Sequence, residues 1–142
     1  MRVLGILLAL SCTAALADQA LADQMPSAPG AKVYIVSPKN GAKVKSPVTV
    51  VFGIKGMQLG PAGTKADNTG HHHLLIDTDL PTDLTLPLPA TDNIKHFGKA
   101  QTETSIELTP GKHTLQLLFA DFSHVPFTPN VASKKITITV VQ

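Results

Sequence analysis

The chain has 142 residues and a formal net charge of +2, from 12 Lys plus Arg against 10 Asp plus Glu. This weak bias, together with one Tyr and no Trp, argues against a nucleic-acid-binding protein, because a strongly basic surface and a set of stacking rings are both missing. The single cysteine, Cys12, has no partner for a disulfide, and the rest of the chain therefore holds neither a blue-copper centre nor a cysteine-based zinc knuckle.

The first 22 residues are predicted to be a secretory signal peptide. Arg2 supplies the positive start, residues 3–10 supply a short apolar core, and A-x-A cleavage motifs end at Ala17 and Ala22. We place the cut after Ala22, because a cut after Ala17 would leave an unusually short signal. The apolar run is well short of the ~20 residues that a membrane span needs. The mature chain is therefore predicted to be periplasmic or secreted, with no membrane span.

The mature chain is predicted to be a short lead-in followed by one β-domain. Residues 23–31 are rich in Pro and Gly and are predicted to be a flexible lead-in. Residues 32–142 alternate short β-branched or apolar segments with turn signals, and no stretch keeps the 3.6-residue period of a helix. We predict an all-β, immunoglobulin-like antiparallel sandwich of about seven strands, with a closed barrel as the alternative. Strand-like segments include, in chain order, KVYIVSP, SPVTVVFGI, HHHLLID, AQTETSIEL, PGKHTLQLLFAD and KKITITVVQ.

One connection of the predicted sandwich is unusually long. Residues 78–93 contain Pro81, Pro87 and Pro89, which exclude a regular helix or a central strand there. Long loops of compact domains are often functional. A second Pro-containing loop, FSHVPFTPN, precedes the last predicted strand.

The third predicted strand begins with three consecutive histidines, in TGHHHLLIDTD. Successive side chains on a strand point to opposite faces, so His71 and His73 share one face and His72 points the other way. Two imidazoles rooted about 6–7 Å apart can both reach one ion at ~2.0–2.1 Å. The segment therefore predicts an H-x-H pair of metal ligands, with His72 exposed or hydrogen-bonded between them.

The remaining ligands must come from other parts of the fold. His113 begins a predicted strand and could lie across from the H-x-H pair, and His124 lies in a Pro-stiffened loop, which can hold a ligand rigidly. Each has a structural alternative, a polar strand start for His113 and a turn-capping hydrogen bond for His124. The predicted metal ligands are His71, His73, His113 and His124.

Four further residues are possible contributors to the site. His96 is expected to be exposed but stays open as a ligand, and Met57 could offer a thioether to copper. Asp77 or Asp121 could orient a ligand ring by accepting its free N–H. The alternative for the whole set is a hydrogen-bonded polar edge at the mouth of the sandwich, without a metal.

The ligand types restrict which ion the site would take. Imidazoles without a thiolate suit Cu(II), Zn(II) and Ni(II), and copper has the highest intrinsic affinity in the series. An exported, cysteine-poor, histidine-rich site with an optional Met fits a copper ion best and a zinc ion second. Neither predicted mature terminus begins with His, which argues against a copper oxygenase that binds its metal through an amino-terminal His.

The chain is not predicted to be an enzyme. Asp121, Ser123 and His124 are close in sequence, but adjacent residues rarely aim at one another and no G-x-S-x-G elbow is present. Glu103 and Glu107 share a strand face, yet ~13 Å of strand rise separates them, which exceeds the usual spacing of paired catalytic carboxylates.

Three blocks of the chain, GHHHLLID, HFGKAQTE and PGKHTLQLLFADFSHVPF, resemble a family of small exported bacterial domains of unknown function. The similarity runs from about Pro47 to Val140. It implies a periplasmic immunoglobulin-like fold and brings no established activity, so the residues themselves must carry the functional argument.

Two functional hypotheses follow. The first is an exported metal-binding protein, for copper or else zinc, that acts as a carrier, a buffer or a sequestering module through neutral imidazoles. The second is an immunoglobulin-like interaction module that binds a periplasmic protein partner through its Pro-rich loops and has structural histidines. Convergence of at least three ligand atoms favours the first hypothesis, and scattered, outward-pointing rings favour the second.

Overall fold

The computed structural model describes residues 23–142, so the predicted signal peptide, residues 1–22, lies outside the described residues. Residues 23–142 contain ten strands and no helix, and accordingly no helix that could cross a membrane. The strands are β1 (Lys32–Ser37), β2 (Lys43–Lys45), β3 (Val48–Lys55), β4 (Gln58–Leu59), β5 (Thr69–Ile76), β6 (Ile94–His96), β7 (Glu103–Ile106), β8 (Gly111–Ala120), β9 (Pro126–Ala132) and β10 (Ile136–Val141).

The strands form two sheets, which confirms the predicted all-β sandwich. The smaller sheet has the order β1-β3-β7, and the larger has seven strands in the order β2-β10-β8-β5-β4, with β6 added to β5 and β9 added to β8. Most pairs are antiparallel, while β2 with β10 and β4 with β5 are parallel. The strand number exceeds the predicted seven because β2, β4 and β6 are only two or three residues long.

Strand β9 was predicted as a loop because it contains Pro126 and Pro129. Both prolines are tolerated because β8 is the only strand that β9 pairs with among the described residues, and its other edge meets only a single bridge between Thr128 and Pro26.

The main core lies between the two sheets and follows the two-residue period of the strands. On β5, Leu74 and Ile76 point into this core, and the facing sheet contributes Val50 and Phe52 from β3. Even-numbered residues of β5 therefore face the smaller sheet. His72 belongs to this inward-facing set.

The opposite face of β5 is also buried, because residues 77–93, here called the covering loop, fold back over it. Leu88 of this loop packs with Leu75 and Leu118 in a second, smaller apolar cluster, and Leu80 and Leu84 pack against its margin. The seven residues that follow Thr69 in β5 are all buried as a result. The odd-numbered histidines of β5 therefore lie on a face that is shielded from water.

Residues of the lead-in form hydrogen bonds with the rest of the domain. The side-chain amide of Gln24 donates to the carbonyl oxygens of Leu84 and Pro126, at 2.7 and 2.9 Å. The amide of Thr128 donates to the carbonyl of Met25, and the amide of Ser27 donates to the carbonyl of Thr128, at 3.0 and 3.1 Å. These bonds fasten the lead-in to β9 and to the covering loop.

Candidate metal centre

The histidine run occupies β5, and the predicted facing of its members is correct. His71 and His73 lie on the outer face of the larger sheet with relative exposures of 0% and 1%, and their ring centroids are 4.7 Å apart. Strand β6 runs antiparallel to β5 and places His96 directly opposite His73. The His96 ring centroid is therefore only 5.3 Å from that of His73 and 4.9 Å from that of His71. Two adjacent strands thus bring three imidazoles together.

The fourth ring comes from the tight turn between β8 and β9. The amide of His124 donates to the carbonyl of Asp121 at 3.0 Å, and the amide of Asp121 donates to the carbonyl of Val125 at 2.9 Å. This turn carries His124 back over the sheet, where its Nδ1 lies 3.1 Å from Nε2 of His71. The centroid of its ring is 4.4 Å from that of His96.

The backbone of His124 is held in the left-handed region, with φ of 69°. Gly is usual at such a position because a Cβ atom there is crowded by the following carbonyl. The sequence thus accepts a conformational cost at this position, and the residue that incurs it contributes an imidazole to the cluster.

Replacement of His124 by Gly is expected to separate stability from binding. The substitution relieves roughly 1–2 kcal/mol of backbone strain and gives up one hydrogen bond worth about 1 kcal/mol, so the free energy of unfolding should change by less than about 1 kcal/mol. His124→Ala keeps the strain and loses the same bond, and should be about 1 kcal/mol less stable than His124→Gly. Urea unfolding of the metal-free variants measures both differences. Equal stabilities for the two variants would contradict the assignment of strain to His124.

Asp121 organises this turn. Its side chain is 3% exposed, and its Oδ1 accepts hydrogen bonds from the Ser123 amide and hydroxyl at 2.8 Å and from the Val125 amide at 3.0 Å. The sequence predicted that this carboxylate could accept the N–H of a histidine ring. The structure instead shows it accepting hydrogen bonds from the backbone and hydroxyl groups of the turn that presents His124, with no histidine ring among its donors in residues 23–142.

The four rings form a compact donor set. His71, His73, His96 and His124 each offer one nitrogen, and these four atoms all lie within 4.8 Å of one another. A tetrahedral ion with bonds of ~2.0–2.1 Å needs neighbouring ligand atoms about 3.3 Å apart. The 3.1 Å between His71 and His124 is already close to that spacing. The widest separation has to shrink by at most roughly 1.5 Å for the four nitrogens to reach that spacing.

The environment keeps the buried rings uncharged. Burial lowers the pKa of His71 to about 4, assisted by the nearby His124 and His96 rings, and lowers the pKa of His73 to about 2 with the same kind of assistance. Burial also lowers the pKa of His96. In the described part of the chain, Nδ1 of His71 and both ring nitrogens of His73 have no hydrogen-bond partner. Neutral imidazoles with unused lone pairs are the form that binds a metal ion.

The structure does not bring the predicted ligand His113 to this cluster. His113 pairs with Ile138 near the start of β8, whereas the partner of His71 is Ala120, seven residues and about 23 Å further along the same strand. The Nδ1 atom of His113 lies 2.7 Å from the carboxylate of Asp77, and its Nε2 lies 2.7 Å from the carbonyl of Thr109.

Both nitrogens of His113 therefore face acceptors, and the hydrogen bond to Asp77 raises its pKa. The fourth position in the cluster belongs to His96 instead. The sequence signal for His96 was weak, because it depended on the pairing of a three-residue strand.

Met57 and His72 both lie on the other side of β5, in the main core. Met57 is 8% exposed and packs between the sheets, so no thioether joins the four imidazoles. His72, predicted to be exposed or hydrogen-bonded, is 0% exposed and packs between Phe52 and Phe119, with ring centroids 5.1 and 5.2 Å away. Neither of its nitrogens finds a hydrogen-bond partner among residues 23–142.

Replacement of His72 by Leu is expected to stabilise the protein. An unpaired buried polar group costs about 1–3 kcal/mol, and Leu fills a similar volume without that cost. The free energy of unfolding of the metal-free protein should rise by about 1–2 kcal/mol, as measured by urea titration. His72→Gln, which keeps a polar group in the core, is the matched control and should gain nothing. A loss of stability in His72→Leu would show that the imidazole has a partner in solution.

The fold and the site together define a small all-β sandwich domain with a four-histidine cluster on the outer face of its larger sheet. Residues 50–141 match the model of a family described as a domain of unknown function, DUF4399. The chain belongs to this family, which confirms the similarity predicted from its three sequence blocks. No curated protein and no solved structure gives a match. The geometry of the cluster therefore carries the functional argument.

Proposed function

We propose that this domain captures a divalent transition-metal ion outside the cytoplasm, copper by preference and zinc second. The ligands are His71, His73, His96 and His124. The observation that carries the proposal is the approach of four imidazole nitrogens to within 4.8 Å of one another, from three separate parts of the chain. Within residues 23–142, Nδ1 of His71 and both ring nitrogens of His73 are buried without a hydrogen-bond partner. Each unpaired buried group costs about 1–3 kcal/mol, a cost that coordination of a metal ion would offset.

The donor set supports Cu(II) and Zn(II) over softer ions. Four neutral nitrogens and no sulfur suit these two ions, and Cu(II) exceeds Zn(II) in the intrinsic affinity order. Met57, the sulfur ligand that would favour Cu(I), packs in the main core instead of the cluster. The proposed cargo is therefore Cu(II), with Zn(II) as the competing ion.

The arrangement supports a binding role rather than catalysis. Catalytic zinc sites typically keep three protein ligands and one open position, whereas four protein ligands close a tetrahedral site. The nearby Ser123 hydroxyl donates to Asp121 and therefore lacks the free geometry of an activated nucleophile. A carrier, a buffer and a sequestering module all use such a site.

Calorimetric titration of the tag-free mature protein with Cu(II) and Zn(II) near neutral pH tests the proposal. One saturable site per chain is expected, and the double variant His71→Ala/His73→Ala should lose it. His113→Ala is the matched control, since it removes a histidine outside the cluster and should keep full stoichiometry. The absence of saturable binding of either ion to the wild-type protein would contradict the proposal.

One structural feature favours the alternative function, a protein-interaction module. It is a groove that lies away from the covering loop. A groove of about 510 Å³ lies between residues 31–35 and residues 130–136, and its walls are mostly apolar. Tyr34, which lines this groove, is 39% exposed and is the only Tyr in a chain without Trp.

A further inference from the structure

Three of the four histidines are rigidly held. His71 and His73 are buried within an interior strand of their sheet. His124 sits in the turn organised by Asp121, and its carbonyl also accepts a hydrogen bond from the amide of Leu88 in the covering loop, at 2.9 Å. None of these three residues can leave the cluster without opening the turn or the strand.

His96 is held differently, by its backbone alone. Its strand pairs with β5, and the amide of the next residue, Phe97, donates to the carbonyl of His72 at 3.1 Å. Its side chain is exposed, and its ring nitrogens form no hydrogen bond with any other group of residues 23–142. The ring is therefore the one member of the cluster that can rotate into solvent while its backbone stays in place.

The absence of a side chain at residue 98 leaves the space that the His96 ring occupies at the edge of the cluster. A Cβ atom on Gly98 would lie 2.7 Å from both Cε1 and Nε2 of the His96 ring. The adjacent rim is also built from small residues: the amide of Ala62 donates to the carbonyl of Gly98 at 2.9 Å, and the amide of Gly63 donates to the carbonyl of Phe122 at 2.8 Å. An external ligand can therefore approach the cluster closely from the His96 side.

We propose that His96 is the exchangeable ligand of the metal centre, and that the domain is a carrier that passes its ion to an acceptor by ligand exchange at this position. The bond between the ion and His96 breaks and a bond to a nitrogen or thiolate donor of the acceptor forms, while the other three histidines keep their bonds until further acceptor donors replace them. The oxidation state of the ion does not change, and a thiol acceptor releases its proton to solvent. This inference rests on the proposed function.

Chemical rescue with free imidazole tests this assignment. His96→Ala should lower the affinity for Zn(II) by roughly 10- to 100-fold, about 1.4–2.7 kcal/mol, and added imidazole should restore most of it by occupying the exposed position. The matched variant His73→Leu, whose side chain fills the buried position and leaves no cavity for imidazole, should lose at least as much affinity and gain nothing from imidazole. Equal rescue of both variants, or rescue of neither, would overturn the inference.

Transfer kinetics provide the second test. The Zn(II)-loaded wild-type protein is mixed with the chelator 4-(2-pyridylazo)resorcinol, and the transfer rate should rise in proportion to chelator concentration. Gly98→Ala removes no ligand but displaces the His96 ring, and should speed the transfer severalfold. A rate independent of chelator would mean that the ion leaves before the acceptor arrives, and would refute exchange at His96. Failure of the wild-type protein to bind Zn(II) or Cu(II) would instead refute the proposed function itself.

Discussion

Replacement of His73 by Leu is expected to raise the free energy of unfolding of the metal-free protein by about 1–3 kcal/mol, while metal affinity falls on the order of 100-fold. His73 is 1% exposed, and neither of its ring nitrogens is hydrogen-bonded within the described part of the chain. Its cross-strand neighbour on β8 is Leu118, and the residue that follows it on the same face, Leu75, belongs to the smaller apolar cluster. A leucine at this position therefore extends an existing apolar surface.

The two halves of this prediction are measured separately. Urea unfolding in the presence of a chelator gives the stability of the metal-free protein, and calorimetric titration gives the affinity. His113→Leu is the control with the opposite sign, because it removes the hydrogen bond to Asp77 and should lower stability without changing the affinity. If the His73→Leu protein is less stable and still binds metal tightly, the imidazole of His73 is not a ligand of the site.

The expected gain in stability and loss of metal affinity in His73→Leu indicate that His73 is kept for metal binding at a cost to the stability of the sandwich. The outer face of β5 could have been apolar throughout, since the covering loop already seals it with Leu88 and its neighbours. The protein places His71 and His73 there instead and accepts unpaired nitrogens in a buried position. Natural proteins depart from the most stable sequence mainly at functional sites. The unpaired, buried ring nitrogens of His73 and the left-handed backbone of His124 both lie in the four-histidine cluster.

The sequence predicted correctly those features of the site that depend only on the alternation of side chains along one strand. The facing of His71 and His73 follows from the two-residue alternation and needs no knowledge of the neighbouring strands. The burial of both faces of β5 was not predicted, because it depends on the covering loop, whose path is set by its contacts with a distant strand. His72 was misjudged for a different reason: it was expected to be exposed or hydrogen-bonded, and it lies in the main core on the face that meets the smaller sheet.

The other ligands depend on which strands become neighbours and in what register. His113 and Ala120 lie on the same strand, and only the register of β5 on β8 decides which of them faces His71. His96 lies on a three-residue strand after a Pro-rich loop, a segment too short to give a periodic signal. Long-range pairing of this kind is not encoded in any single segment, so the fourth ligand could not be chosen from the sequence.

The metal-free protein is expected to unfold steeply in mild acid. Burial lowers the pKa values of His71 and His72 to about 4 and that of His73 to about 2, from an ordinary value of 6.5. Each ring then binds a proton more readily in the unfolded chain, so its stabilising contribution is complete above pH 6.5 and is lost as the pH falls below it. Each contributes at most about 1.4 kcal/mol per pH unit, and the three together about 4 kcal/mol per pH unit.

The slope of about 4 kcal/mol per pH unit holds only down to about pH 4, where His71 and His72 reach their folded pKa values. A domain with a stability of about 5–10 kcal/mol should therefore reach its acid midpoint roughly 1.2–2.5 pH units below 6.5. His113 works in the opposite direction, because its pKa is raised by Asp77, but it is one ring against three. Far-ultraviolet circular dichroism between pH 8 and pH 3 measures the midpoint. His72→Leu and His73→Leu should each move the midpoint to lower pH by removing one buried base, and His113→Leu should not. A wild-type protein that stays folded at pH 3 would contradict this reading, because it would mean that the buried imidazoles accept protons in place.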